Sequence, residues 1–226
     1  MRYEILQPGA FAYLKVVLEA GESIKAESDA MMMMSAGIQM DGKMEGGLLS
    51  GLARSILGGE SLFLAKLTAG KEKGEVMLAP ALLGDIEACE LKGRMMNITS
   101  GSFLAAEESV KIETKMQNLG KGIFSGAGLF VIHAVGDGIV FLNSFGAICC
   151  RELVRGEELV VDTGHLVAWE DSMQYKIGKA GSDIISSLKS GDLLVCKFTG
   201  PGKVYIQSRN PASFNDWVRS GQMAKG

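Results

Sequence analysis

The sequence predicts an all-β chain of three tandem strand-and-turn units with short connecting helices, and three observations predict it. Thirty glycines accompany only four prolines in 226 residues, about twice the usual glycine share, which speaks for many tight turns rather than disorder. Hydrophobic residues make up 47% of the chain, enough for a continuous core. Two blocks of sequence each recur three times, and recurrence of this kind marks a repeat architecture.

The first block is LEAGESIKAESDAMMM from Leu18, LKGRMMNITSGSFLA from Leu91 and LVRGEELVVDTGHLVA from Leu153, aligned on the turn glycines Gly21, Gly93 and Gly156. Ile24, Met96 and Leu159 then coincide, as do Ala26, Ile98 and Val161, and then Ser28, Ser100 and Thr163. Apolar positions two apart describe a strand with one buried face. Asp29, Gly101 and Gly164 follow as turn formers, and a second apolar run begins at Met31, Phe103 and Leu166.

The second block starts near Gly59, Gly126 and Gly191, at intervals close to those of the first, so both belong to one repeating unit. The units are residues 1–79, 80–145 and 146–226. Inside this block Gly136-Asp137-Gly138 and Gly200-Pro201-Gly202 separate apolar runs, a hairpin signature. Proline before glycine favours a type II turn, so a slightly longer connection is expected at Gly200, Pro201 and Gly202. Lys71-Glu72-Lys73 widens the same turn in the first unit.

Between the blocks, Leu48, Leu49, Leu52, Ile56 and Leu57 fall at helical spacing in the segment from Gly46 to Gly59, predicting a short amphipathic helix. Ser182 to Leu188 is its counterpart in the third unit. The apolar stripe suits covering an open end of the β-core, contacting another subunit, or contacting a membrane surface. Only Arg54 offers the basic flank that surface-binding helices carry.

The charges nearly cancel, with 23 basic and 26 acidic residues. No nucleic-acid partner is expected, because phosphate backbones are held by concentrated positive charge. The first residues, MRYEILQPGAF, do not read as a secretion signal, and the expected location is cytoplasmic, with Cys89, Cys149, Cys150 and Cys196 reduced. His133 and His165 stand apart from each other and from any Cys-x-x-Cys, so no metal ligand set is read. Met31 to Met34 are soft thioethers of the kind that bind copper(I), yet the aligned positions Phe103-Leu104-Ala105 and Leu166-Val167-Ala168 make them ordinary strand residues. A serine with His165 and Asp162 could be written as a catalytic set, but no spacing fixes its geometry, and no phosphate-cradling or dinucleotide motif occurs. Neither a catalytic residue nor a cofactor is assigned, and Trp169 and Trp217 remain large but undiagnostic.

The run Phe198-Thr199-Gly200-Pro201-Gly202-Lys203-Val204-Tyr205-Ile206-Gln207-Ser208-Arg209 resembles the closing signature of the altered-inheritance-of-mitochondria family of uncharacterised proteins. Gly58 to Leu64 and the Ala20-Gly21-Glu22-Ser23-Ile24 turn are similar to its earlier motifs. The resemblance implies three β-sandwich, double-stranded β-helix units like those of the tryptophan RNA-binding attenuation protein, with strands exchanged between units and chains closing into a homotrimeric ring. The implied function is a non-enzymatic ring-forming scaffold or interaction protein. The alternatives are a peripheral membrane module using Gly46 to Gly59 and a small-ligand-binding protein.

Overall fold

The computed structural model describes residues 1–43, 64–117, 129–179 and 194–223. Residues 1–79 supply β1 (Arg2–Leu6), β2 (Tyr13–Leu18), β3 (Ser23–Glu27), β4 (Met31–Met34), β5 (Ile38–Lys43), β6 (Leu64–Ala69) and β7 (Gly74–Leu78). Residues 80–145 supply β8 (Ile86–Glu90), β9 (Met95–Thr99), β10 (Phe103–Glu107), β11 (Lys111–Gln117), β12 (Leu129–Val135) and β13 (Ile139–Asn143). The remainder supplies β14 (Ile148–Leu153), β15 (Glu158–Asp162), β16 (Leu166–Glu170), β17 (Gln174–Lys179), β18 (Leu194–Thr199) and β19 (Gly202–Gln207). A single 3-10 turn at Thr163–His165 and a helix, α1 (Pro211–Met223), complete the described residues, so the fold is all-β. The predicted connecting helices around Leu52 and Ser182 lie outside the described residues.

Among the described residues four antiparallel sheets form. The first is ordered β1-β2-β7-β4, the second β5-β6-β3-β10-β13-β8, the third β11-β12-β9-β16-β19-β14 and the fourth β15-β18-β17. The second and third share one plan, each taking three strands from one segment and three from the next. Three apolar cores alternate with the sheets. Leu14, Val16, Ile24, Leu67, Val76 and Leu104 lie in the core between the first and second sheets. Met96, Ile98, Phe103, Ile132, Val140 and Val167 fill the next. Val161, Leu166, Trp169, Cys196, Phe198 and Val204 fill the last.

Two sequence expectations are overturned. Gly136-Asp137-Gly138 and Gly200-Pro201 do not close hairpins: β12 and β13 belong to different sheets, as do β18 and β19. Ile132 and Ala134 meet Val140 and Leu142 face to face across the second core, a contact that a hairpin, laying the two strands side by side in one sheet, would forbid. Gly136 and Gly138 make the corner possible, because a Cβ on either would press on the 109–110 loop, 2.8 Å from Ser109 O and 2.6 Å from Ser109 Oγ. The Gly200-Pro201 connection is also short rather than long, with a cis peptide bond and β19 starting at Gly202.

The expectation of one buried face holds for β6, which alternates from Ala65 onward, and for the first sheet. There β2 and β7 alternate buried and half-buried residues. The central strands β3, β9, β10, β13 and β16 bury nearly every side chain, because their sheets have a core on both sides.

One irregularity recurs three times. Pairing shifts between Met31 and Met33 in β4 against β7, between Phe103 and Ala105 in β10 against β13, and between Leu166 and Ala168 in β16 against β19. The bulge breaks strict alternation. Phe103 and Ala106 consequently enter the second core while Leu104 and Ala105 both enter the first. In the same way Leu166 and Trp169 enter the third core while Val167 and Ala168 enter the second.

Candidate functional site

The turn anchors Gly21, Gly93 and Gly156 all adopt left-handed backbone, at φ 81°, 74° and 81°. Each closes a four-residue turn, with Glu22 N–H donating to Glu19 O, Arg94 to Leu91 O and Glu157 to Val154 O. In the first and third turns the glutamate carboxylate turns back onto the chain, accepting from Glu19 N–H and Val154 N–H at 2.9 Å. The middle turn differs: Lys92 also has positive φ, at 52°, and Arg94 sends its guanidinium to Leu91 O at 3.3 Å and to Glu170 at 2.9 Å. A Cβ at Gly200 would collide with the Val154 carbonyl, and one at Gly202, whose φ is 146°, would fall 2.5 Å from Met173 Cγ, so neither position has room for a side chain. Gly59, Gly126, Gly191 and the stripe of Leu48, Leu49, Leu52, Ile56 and Leu57 lie outside the described residues.

His165 and Asp162 are both engaged by backbone groups. His165 Nδ1 lies 2.8 Å from the Gln207 carbonyl, and Asp162 Oδ1 accepts from Gly164 N–H at 2.9 Å, capping the 3-10 turn. Burial pushes the thiols of Cys89 and Cys196 up to about 12, far from thiolate chemistry at neutral pH. All four cysteines are free. Among the described residues, no group of three His, Cys, Asp or Glu is placed to hold a metal ion. The two tryptophans diverge: Trp169 is fully buried, edge-on to Tyr175 at 5.0 Å, whereas Trp217 on α1 is exposed and reaches back through Phe214 to Phe145.

What distinguishes the molecule is two strand edges. β3 and β9 are flanked on both sides, by β6 and β10 and by β12 and β16, but among the described residues β15 pairs only with β18. Likewise β10 and β16 are internal, whereas among the described residues β4 pairs only with β7. Exposure follows. Phe103 to Ala106 and Leu166 to Trp169 are buried, but Met32 is 53% and Met33 38% exposed. Lys25 and Asn97 are buried at a position where Val160 is 41% exposed. Such apolar open edges are what soluble proteins ordinarily blunt with charge, proline or brevity. The sequence singles out the methionine run, and Leu159 and Val161 mark β15 as a strand, but nothing read from it set β15 apart as an open edge. Its signal was Val160, an apolar residue where the aligned strands carry lysine and asparagine.

Residues 3–209 match the family described as Mitochondrial biogenesis AIM24. The chain is 31% identical, over 95% of its length and 88% of the relative's, to an uncharacterized protein of Streptococcus pyogenes serotype M6. Its structure is similar to an X-ray crystal structure of a Streptococcus pyogenes protein solved as a structural genomics target, with a TM-score of 0.78 and 29% identity over 97% of this chain and 98% of that one. No helix among the described residues is long and apolar enough to cross a membrane. The chain belongs to the Mitochondrial biogenesis AIM24 family.

Proposed function

We propose that the chain is a non-enzymatic scaffold that assembles head to tail into a closed homotrimeric ring. The observation that carries this reading is the pair of incomplete terminal sheets. The second and third sheets have six strands of one plan, while the array of sheets ends in a three-stranded sheet on one side and a four-stranded one on the other. Two unlike, complementary ends make a heterologous contact, and such contacts close into rings when the rotation allows. The scaffold reading is supported by the way His165 and Asp162 serve backbone groups, and a reducing cytoplasmic setting suits the four free cysteines.

Light scattering on the gel-filtered protein tests the reading. Three times the chain mass is the expected result, holding at micromolar concentration because the interface of a stable ring survives such dilution. A strictly monomeric mass overturns it.

A further inference from the structure

Resting on that reading, we propose that the ring is joined by antiparallel pairing of β4 in one copy with β15 in the next, Met33 opposite Val161, with Met32 and Met33 completing the neighbour's third core.

The register comes from the two internal junctions. In the first, β10 meets β3 with Ala105 opposite Ala26 and Ala106 opposite Lys25. In the second, β16 meets β9 with Ala168 opposite Ile98 and Trp169 opposite Asn97. The shared bulge places Met33 with Ala105 and Ala168. The glycine alignment places Val161 with Ala26 and Ile98. The missing third junction therefore sets Met33 against Val161 and Met34 against Val160. A second copy is the occupant because the surface continues two interfaces the chain already makes with itself.

The cores require the same partner. At the first junction Ala26 and Ala105 share one core, and at the second Ile98 and Ala168 share the next. Val161 faces the third core beside Trp169 and Phe198, and no strand among the described residues lies beyond it. Met31 and Met34 already pack on the first core of their own chain, which leaves Met32 and Met33 facing away from it. In the assembled ring those two side chains take the places that Leu104 and Ala105, or Val167 and Ala168, take inside the chain. Methionine suits a contact made between separately folded chains, since its unbranched thioether adapts to irregular gaps. Val160, opposite Met34, enters the next copy's first core where Lys25 and Asn97 occupy the internal equivalents. An apolar pair there needs no buried polar partner.

The test uses full-length chains with Cys149 and Cys150 replaced by serine. One preparation carries Met33→Cys and the other Val161→Cys, and they are mixed under mild oxidation with diamide. The expected product is a disulfide-linked pair of chains in the mixture and in neither preparation alone. Val160→Glu, at an exposed position, is expected to abolish the oligomer in light scattering while leaving the far-ultraviolet circular dichroism unchanged. A trimer without the cross-link that also survives Val160→Glu overturns the strand pairing and leaves the ring standing. A monomeric wild type overturns both.

Discussion

Glu157 accepts a hydrogen bond from Val154 N–H at 2.9 Å, folding its carboxylate over the turn three residues behind it, and Glu22 does the same for Glu19. The contact satisfies a backbone donor that the tight turn leaves open. Glu157→Ala is expected to cost about 0.5–1.5 kcal/mol, read as a small fall in melting temperature. Glu157→Gln, which keeps an acceptor oxygen, should avoid most of that loss.

Glycines separate by mechanism. A Cβ at Gly156 meets open space, so Gly156→Ala pays only for left-handed backbone, about 1–2 kcal/mol. At Gly84, which bridges to Gly146, a Cβ would collide with the Ser144 carbonyl. Gly84→Ala should therefore fail to fold or lose several times as much stability, as chemical denaturation of the two variants would show.

Trp169 is fully buried, yet its indole N–H finds no acceptor among the described residues. Trp169→Phe removes an unsatisfied donor along with volume and should cost much less than Trp169→Ala, for which about 3–5 kcal/mol is expected. The remaining fluorescence in either variant comes from exposed Trp217 and should be strongly quenched by acrylamide.

Burial, with the Asp29 carboxylate nearby, raises the Glu27 carboxyl above its usual range. A carboxyl raised in the folded protein favours folding when protonated, so this contribution is lost as pH climbs from the ordinary carboxylate range through the raised folded value. Glu27→Gln is accordingly expected to lift the melting temperature at pH 7 and to bring no gain near pH 4. An equal gain at both values would contradict the assignment.

Thiol accessibility gives a further check. Cys89 and Cys196 are buried and Cys149 and Cys150 exposed. Native alkylation with iodoacetamide should label only the latter pair, with all four modified after denaturation, as counted by mass spectrometry.

The turns were legible in the sequence and their consequences were not. Gly21, Gly93 and Gly156 announce left-handed positions because only glycine adopts them without penalty. The same chemistry at Gly136 and Gly138 says that the chain bends but not into which sheet the next strand goes. That choice was made by Val140 and Leu142 facing Ile132 and Ala134 across a core, a long-range preference that no local turn signature encodes. Strands buried on both faces, such as β10 with Phe103, Leu104, Ala105 and Ala106, also lose the alternation by which a half-buried strand is recognised. The methionine run stood out by composition, whereas its meaning lay in what β4 lacks as a neighbour, which only the sheet order reveals.

The recurring bulge reaches beyond geometry. Because β10 gives Leu104 and Ala105 to one core and Phe103 and Ala106 to the next, and β16 divides its side chains the same way, no plane through the molecule separates one core from another without cutting a strand. Melting any third of the chain withdraws side chains from a neighbouring third. The chain thus lacks the modular independence of beads on a string, and heat should dismantle it in one cooperative step.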